Sequence, residues 1–152
     1  MKFEGTLDIA VARAEVWSFL TDPKRVTACA PDVQSLEITD PTHFTVVVRT
    51  GVGPIKATFT MKTEFLELTA PSHAVILARG QAPGSAVEMR STMDLVEAGP
   101  GRTTMAWASD VNVSGMIASV GARLMQGAAD KITQQVFACI KRTLEVPAAA
   151  GA

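Results

Sequence analysis

The chain is poor in reactive and aromatic residues. It has no tyrosine, two histidines and two cysteines, and aromatic residues make up 5% of its 152 positions. So few aromatics leave little for nucleic-acid bases to stack on. Charge of one sign is also missing, because 14 Lys and Arg stand against 15 Asp and Glu for a net −1. A phosphate-neutralising face is therefore absent, and nucleic acid is excluded as a partner. No apolar run reaches the roughly 18 residues that cross a bilayer. The most apolar stretch, Met116 to Ala129, is interrupted by Arg123 and Gln126. The opening Met1-Lys2-Phe3-Glu4-Gly5 lacks the apolar core and cleavage site of a signal peptide. A cytoplasmic protein without stable membrane insertion is expected. Cys29 and Cys139 make neither a disulfide framework nor a zinc knuckle. They read as two small buried apolar residues in a reducing compartment.

Catalytic and metal signatures are missing too. There is no His-Glu-x-x-His, no paired cysteine and no acid cluster at ligand spacing, so neither metal nor cofactor is expected. Gly51-Val52-Gly53-Pro54 lacks the Lys-Ser/Thr ending and the strand-to-helix setting of a phosphate loop. The nucleophile pattern Gly-x-Ser-x-Gly does not occur. His43 and His73 follow Pro41-Thr42 and Pro71-Ser72 and read as surface residues at strand starts, with general base the remote alternative.

What remains is a pattern of apolar residues, 47% of the chain, in a length suited to one domain. Alternation marks a first strand over 6–11. A short helix over 14–20 follows, then a second helical turn started by Asp22 as cap and Pro23 at the first position. Further strands are expected over 33–39, 43–50, 54–68, 73–80, 85–97 and 102–113. Turn residues divide them: Asp40-Pro41, Gly53-Pro54, Ala70-Pro71, Pro83-Gly84 and Gly99-Pro100-Gly101. Ile55, Ala57, Phe59, Met61 and Phe65 oppose Lys56, Thr58, Thr60, Lys62 and Glu64, which implies an antiparallel meander with one wet face.

From Ser114 to Leu144 the period becomes helical, with Ser114 as the expected cap. Ile117, Val120, Gly121, Leu124, Ala128, Ile132, Val136 and Cys139 form its apolar stripe. Such a helix must lay that stripe on the apolar face of the sheet. The fold class is therefore α+β, with one domain over 1–146 and a flexible tail at 147–152.

This order of elements resembles the helix-grip fold of the START-like, or Bet v 1-like (SRPBCC), superfamily. That fold wraps a curved antiparallel sheet of about seven strands around one long C-terminal helix, with two short helices after the first strand. Within the superfamily the sequence looks like the carbon monoxide dehydrogenase G-subunit family. The resemblance rests on Glu15-Val16-Trp17 with Leu20-Thr21-Asp22-Pro23, on Val52-Gly53-Pro54-Ile55-Lys56 leading to Phe59, and on Gly115 to Gly127 with Gly121-Ala122-Arg123-Leu124. It spans residues 1–145. It implies a cavity for an apolar, quinone-like small molecule, in service of a molybdenum-containing CO dehydrogenase. Many relatives continue past the helix to an apolar anchor, which is not expected here. Contact with the inner face of the cell membrane would then be transient, and a homodimer stands as an alternative to a monomer.

The helix stripe is lean at Gly121 and Ala128, either for close packing or to leave room for a ligand. The expected ligand-binding residues are Ile117, Val120, Gly121, Leu124 and Ala128 on the helix and Phe59, Met61, Val87, Met89 and Trp107 on the sheet. Arg79, sharing strand parity with Val75 and Leu77, is the expected polar residue at the mouth. No catalytic residue is expected, and the missing acid–base set favours binding over catalysis. The alternatives are a polyketide cyclase or dehydratase type of enzyme, and a recruitment factor whose cavity is incidental.

Overall fold

Turn chemistry cuts the middle of the chain into long strands. In the computed structural model, which describes residues 1–145, these are β1 (Lys2–Ile9), β2 (Val33–Asp40), β3 (His43–Val52), β4 (Ile55–Thr69), β5 (His73–Ala82), β6 (Ser85–Gly99) and β7 (Arg102–Gly115). The tail expected at 147–152 lies outside the described residues. The strands form one antiparallel sheet in the order β1-β7-β6-β5-β4-β3-β2. Chain order is thus a plain meander from β2 to β7, with β1 closing onto β7. Three of the hairpins turn through glycines at positive φ, among them Gly53 at 59°, Gly84 at 76° and Gly101 at 66°, where a side chain would be strained.

Two short helices, α1 (Arg13–Leu20) and α2 (Pro23–Thr27), bridge β1 and β2. Asp22 starts α2 as the sequence predicts, its carboxylate accepting the Lys24 N–H at 3.0 Å with Pro23 beside it. At one end of the concave face, α1 buries Val16, Phe19 and Leu20 against Ile9, Ala74, Met93, Leu95 and Met105. That end of the grip is filled.

The long helix differs from expectation at its start. β7 continues to Gly115, with Ser114 paired to Ala86, so Ser114 caps nothing. A 3-10 turn then runs over Met116–Val120, and α3 begins only at Ala122 and ends at Leu144. Gly121, at φ 94°, separates the two. Twenty-three residues at 1.5 Å each give α3 a length of about 34 Å. No helix among the described residues is long and apolar enough to cross a membrane.

The cysteines also correct the sequence reading. Cys29 and Cys139 are joined in a disulfide, with Cα atoms 5.4 Å apart. Cys29 follows α2 and is buried, while Cys139 sits on the face of α3 turned toward it. The inference of a reducing compartment from two unpaired thiols falls with this pairing. The tie complements a light hold on α3, whose single fully buried residue among those described is Ile140. Val136 and Leu144 packed on the core, edge-on packing of Phe137 on Trp107 and a bond from the Ala10 N–H to the Glu145 carboxylate at 2.7 Å add to the anchoring.

Candidate functional site: a cavity under the long helix

Alternation along each strand turns every second residue toward α3. At the filled end these residues meet the core. At the other end, beneath the N-terminal half of α3, they enclose a cavity of about 390 Å³. Phe59, Met61 and Thr63 of β4, with Val87 and Met89 of β6, form its floor. Val46, Val48, Thr50 and Val52 of β3 close one side, and Val111 and Val113 of β7 the other. Ile117, Met125, Ala128, Ala129 and Ile132 make the roof, and Thr27 at the end of α2, Ala30 beyond it, and Met1 and Phe3 at the start of the chain add to the wall. The polar side chains on this wall are threonines, and no charged side chain lines it. Such a surface favours a molecule whose apolar area it can remove from water, at roughly 25 cal/mol per Å². Threonine hydroxyls can donate to a carbonyl oxygen on that molecule.

Of the residues expected at a ligand, six line this cavity: Phe59, Met61, Val87, Met89, Ile117 and Ala128. The other five stand elsewhere. Val120 packs beside Val52, Phe59 and Ile117, outside the lining. Gly121 forms the break before α3. Leu124 is 47% exposed and rests on the β3–β4 hairpin at Gly53. Trp107 does face inward, as its parity implies, but at the filled end, where its ring meets Phe137 at 5.3 Å and 80°. Its Nε1 is buried there without a partner. Arg79 points away from the cavity on the convex face, and its Nε donates to Glu88 Oε1 at 3.2 Å. The inward residues of β5 are instead the small ones, among them Ala78, with Ile76 beside it.

Sequence reasoning missed Met125, Ala129 and Ile132 as the roof facing this space, although Ile132 belongs to the expected stripe. In the first turn of α3, which begins only after the Gly121 break, Met125 rather than Leu124 lines the cavity. The strand expected over 43–50 is present as β3, but its place in the cavity wall is not legible in the sequence, because the Val46-Val47-Val48 run hides the alternation.

Both histidines start strands at the surface, as expected, outside the cavity. His43 lies between Asp40, 2.9 Å from Nδ1, and Glu64, 3.1 Å from Nε2. The hydrogen bond with Asp40 raises the histidine above its ordinary 6.5. The same bond, with the Thr42 N–H donating to the carboxylate, holds Asp40 at about 2. His73 is raised likewise by its hydrogen bond with Asp94 at 2.7 Å, with Glu67 at 3.6 Å on its other side. A raised histidine stabilises the fold in full below 6.5, and this is lost as pH climbs through the raised value. The lowered Asp40 contributes above 3.8, and this is lost as pH falls toward 2. Exposed pairs contribute little. Replacing both histidines with asparagine should therefore lower the thermal midpoint slightly near pH 5.5 and leave it unchanged near pH 9. Proton NMR of the wild type should place both imidazoles above 6.5. Values at or below 6.5 would contradict these ion pairs.

Comparison with known structures places this geometry in a wider group. A conserved protein from Geobacillus kaustophilus superimposes with a TM-score of 0.89 at 22% identity, over 95% of each chain. A START superfamily protein from Mycobacterium smegmatis gives 0.73 at 14% identity, over 95% of this chain and 97% of that one. The Zhui aromatase/cyclase from Streptomyces sp. R1128 gives 0.72 at 14% identity, over 95% and 93%. At these identities the likeness is one of fold: the START-like helix grip, a seven-stranded sheet curved around a long C-terminal helix. No curated protein matches the sequence. The family match is more specific, because it extends over residues 5–145 and takes in the sheet, both short helices and all of α3. The chain belongs to the carbon monoxide dehydrogenase G-subunit (CoxG) family.

Proposed function

We propose that this protein binds one neutral, largely apolar small molecule, quinone-like in character, between its sheet and α3. It does so without catalysis, and holds the molecule for a molybdenum-containing redox partner of the CO dehydrogenase type. The observation that carries this reading is the 390 Å³ cavity, walled by aliphatic and methionine side chains with threonine hydroxyls as its polar groups. Those hydroxyls suit the carbonyl oxygens of a quinone, and a wall without charged side chains, where the Met1 α-ammonium is bonded to the Val111 carbonyl at 2.6 Å, suits a neutral ring system. Membership of the CoxG family supports the partner class. The contact is transient at the inner membrane face, where an apolar molecule would be taken up.

Catalysis of the aromatase/cyclase kind would need an acid or base at the bound molecule. His43 and His73 are surface residues held by carboxylates, so the residues favour binding. Calorimetric titration with 2-methyl-1,4-naphthoquinone tests the proposal. Saturable binding of one molecule per chain, with a negative heat-capacity change, is the expected result. Heat of dilution alone, from folded protein, would refute it.

A further inference from the structure

A row of paired residues crosses the concave face beneath α3. It runs from Val46 on β3 through Met61 on β4, Gly80 on β5 and Val87 on β6 to Val113 on β7. Val46, Met61, Val87 and Val113 line the cavity. Gly80, buried at the middle of the row, brings no side chain. A glycine inside a strand weakens it and marks a close approach. Here the backbone does not call for glycine, since Gly80 is not among the residues with positive φ. The demand is for space. A Cβ on Gly80 would collide with the Met61 sulfur and stand 2.7 Å from Val87 Cγ1 and 3.2 Å from Met61 Cε.

We propose that Gly80 determines which ligands the cavity accepts, by providing a notch in its floor that stows the Met61 thioether. The inference rests on the reading of the cavity as a binding site. With the notch open, Met61 lies down across β5 and the floor stays low. With a methyl group in the notch, Met61 must leave it. Its flanks are occupied by Val46 and Val87, so the flexible thioether swings up into the cavity and takes the ligand's place. Size selection is thus set by a residue that need not touch the ligand. Met61 is the movable part, and Gly80 decides its position.

The test uses the full chain and two neutral probes, bicyclic 2-methyl-1,4-naphthoquinone and tricyclic 9,10-anthraquinone. Gly80→Ala should weaken naphthoquinone binding by about tenfold or more. Adding Met61→Ala to it removes the displaced thioether and should return affinity to within about threefold of wild type. Met61→Ala alone empties the notch and should shift preference toward anthraquinone by about fivefold or more. That single variant decides the matter if Gly80→Ala does not fold. A folded Gly80→Ala protein with wild-type affinity, or a Met61→Ala protein with unchanged preference, would overturn the inference. Wild-type protein that takes up neither probe would instead refute the cavity as a binding site, and the inference with it.

Discussion

Ala128→Phe should abolish binding of 2-methyl-1,4-naphthoquinone, weakening it by about a hundredfold or more, while the thermal midpoint stays within a few degrees of the parent's. Ala128 sits in the roof between Met125 and Ile132, and the added ring enters the hollow instead of a packed interface. The opposite outcome is well defined. If α3 pressed directly on the sheet at this point, the ring would overpack it at about 1–3 kcal/mol. For a chain of this size that corresponds to roughly 2–4 °C per kcal/mol. Leu124→Phe is the matched control. It adds a ring on the same helix at a position 47% exposed, outside the cavity lining, and should leave affinity unchanged. A pair of melts and a pair of titrations separate the two cases.

The largest stability change should come from the disulfide. Replacing Cys29 and Cys139 together with alanine removes a link that closes 110 residues. In the chain-entropy account a loop of this size is worth about 4–5 kcal/mol, because the linked denatured chain has fewer conformations to regain. The expected fall in thermal midpoint is on the order of 10 °C or more. The native state gives a second reason for a large effect, since α3 is held besides through Ile140, Val136, Leu144, the Phe137–Trp107 contact and Glu145, with Ile140 its one buried residue among those described. Ligand affinity should fall as well, because the roof of the cavity is the free half of the same helix. Equal unfolding free energies for oxidised wild type and the double variant, by urea titration, would show the link to be idle.

Much of the fold is legible because two periods and a set of turns are written plainly in this chain. Pro and Gly at the hairpins mark where β3 to β7 begin and end to within about two residues. Asp22-Pro23 likewise fixes the start of α2. The misreadings share a cause: local pattern reports which face a residue takes, and not what lies opposite that face. Trp107 is inward by parity, yet parity is silent on whether the helix above it is packed or lifted away. In β5, the bulk of Val75 and Leu77 suggests an inward face for them and for Arg79. Val75 is indeed buried, but the β5 residues that line the cavity are Ile76 and Ala78, of the opposite parity. β1 begins at Lys2, ahead of expectation, because pairing with β7 over the whole strand outweighs the poor strand propensity of Glu4 and Gly5.

The start of α3 departs from the sequence pattern for a backbone reason. Ser114 followed by Gly115 looks like a cap, but Gly115 takes φ 80° where β7 crosses the β5–β6 hairpin, and a Cβ there would strike the Gly84 backbone. Gly121 then interrupts the helix again. The stripe counted from Ser114 nonetheless keeps Ala128, Ile132, Val136 and Cys139 on the inner side of α3, and misplaces Leu124 in its first turn, where Met125 lines the cavity instead. The cysteine pairing is illegible for a different reason. Contact between residues 110 positions apart depends on how α3 lies across α2, which no local pattern encodes.

The central claim is that the cavity between sheet and α3 holds a neutral apolar molecule. Native mass spectrometry of the protein purified gently from its producing cells, followed by organic extraction of the same sample, tests it most directly. The account predicts a population one small molecule heavier than the polypeptide, with that molecule recovered in the organic phase and absent from an Ala128→Phe preparation. A bare polypeptide mass from both proteins, with nothing extracted above the solvent blank and no uptake of added naphthoquinone, would contradict it.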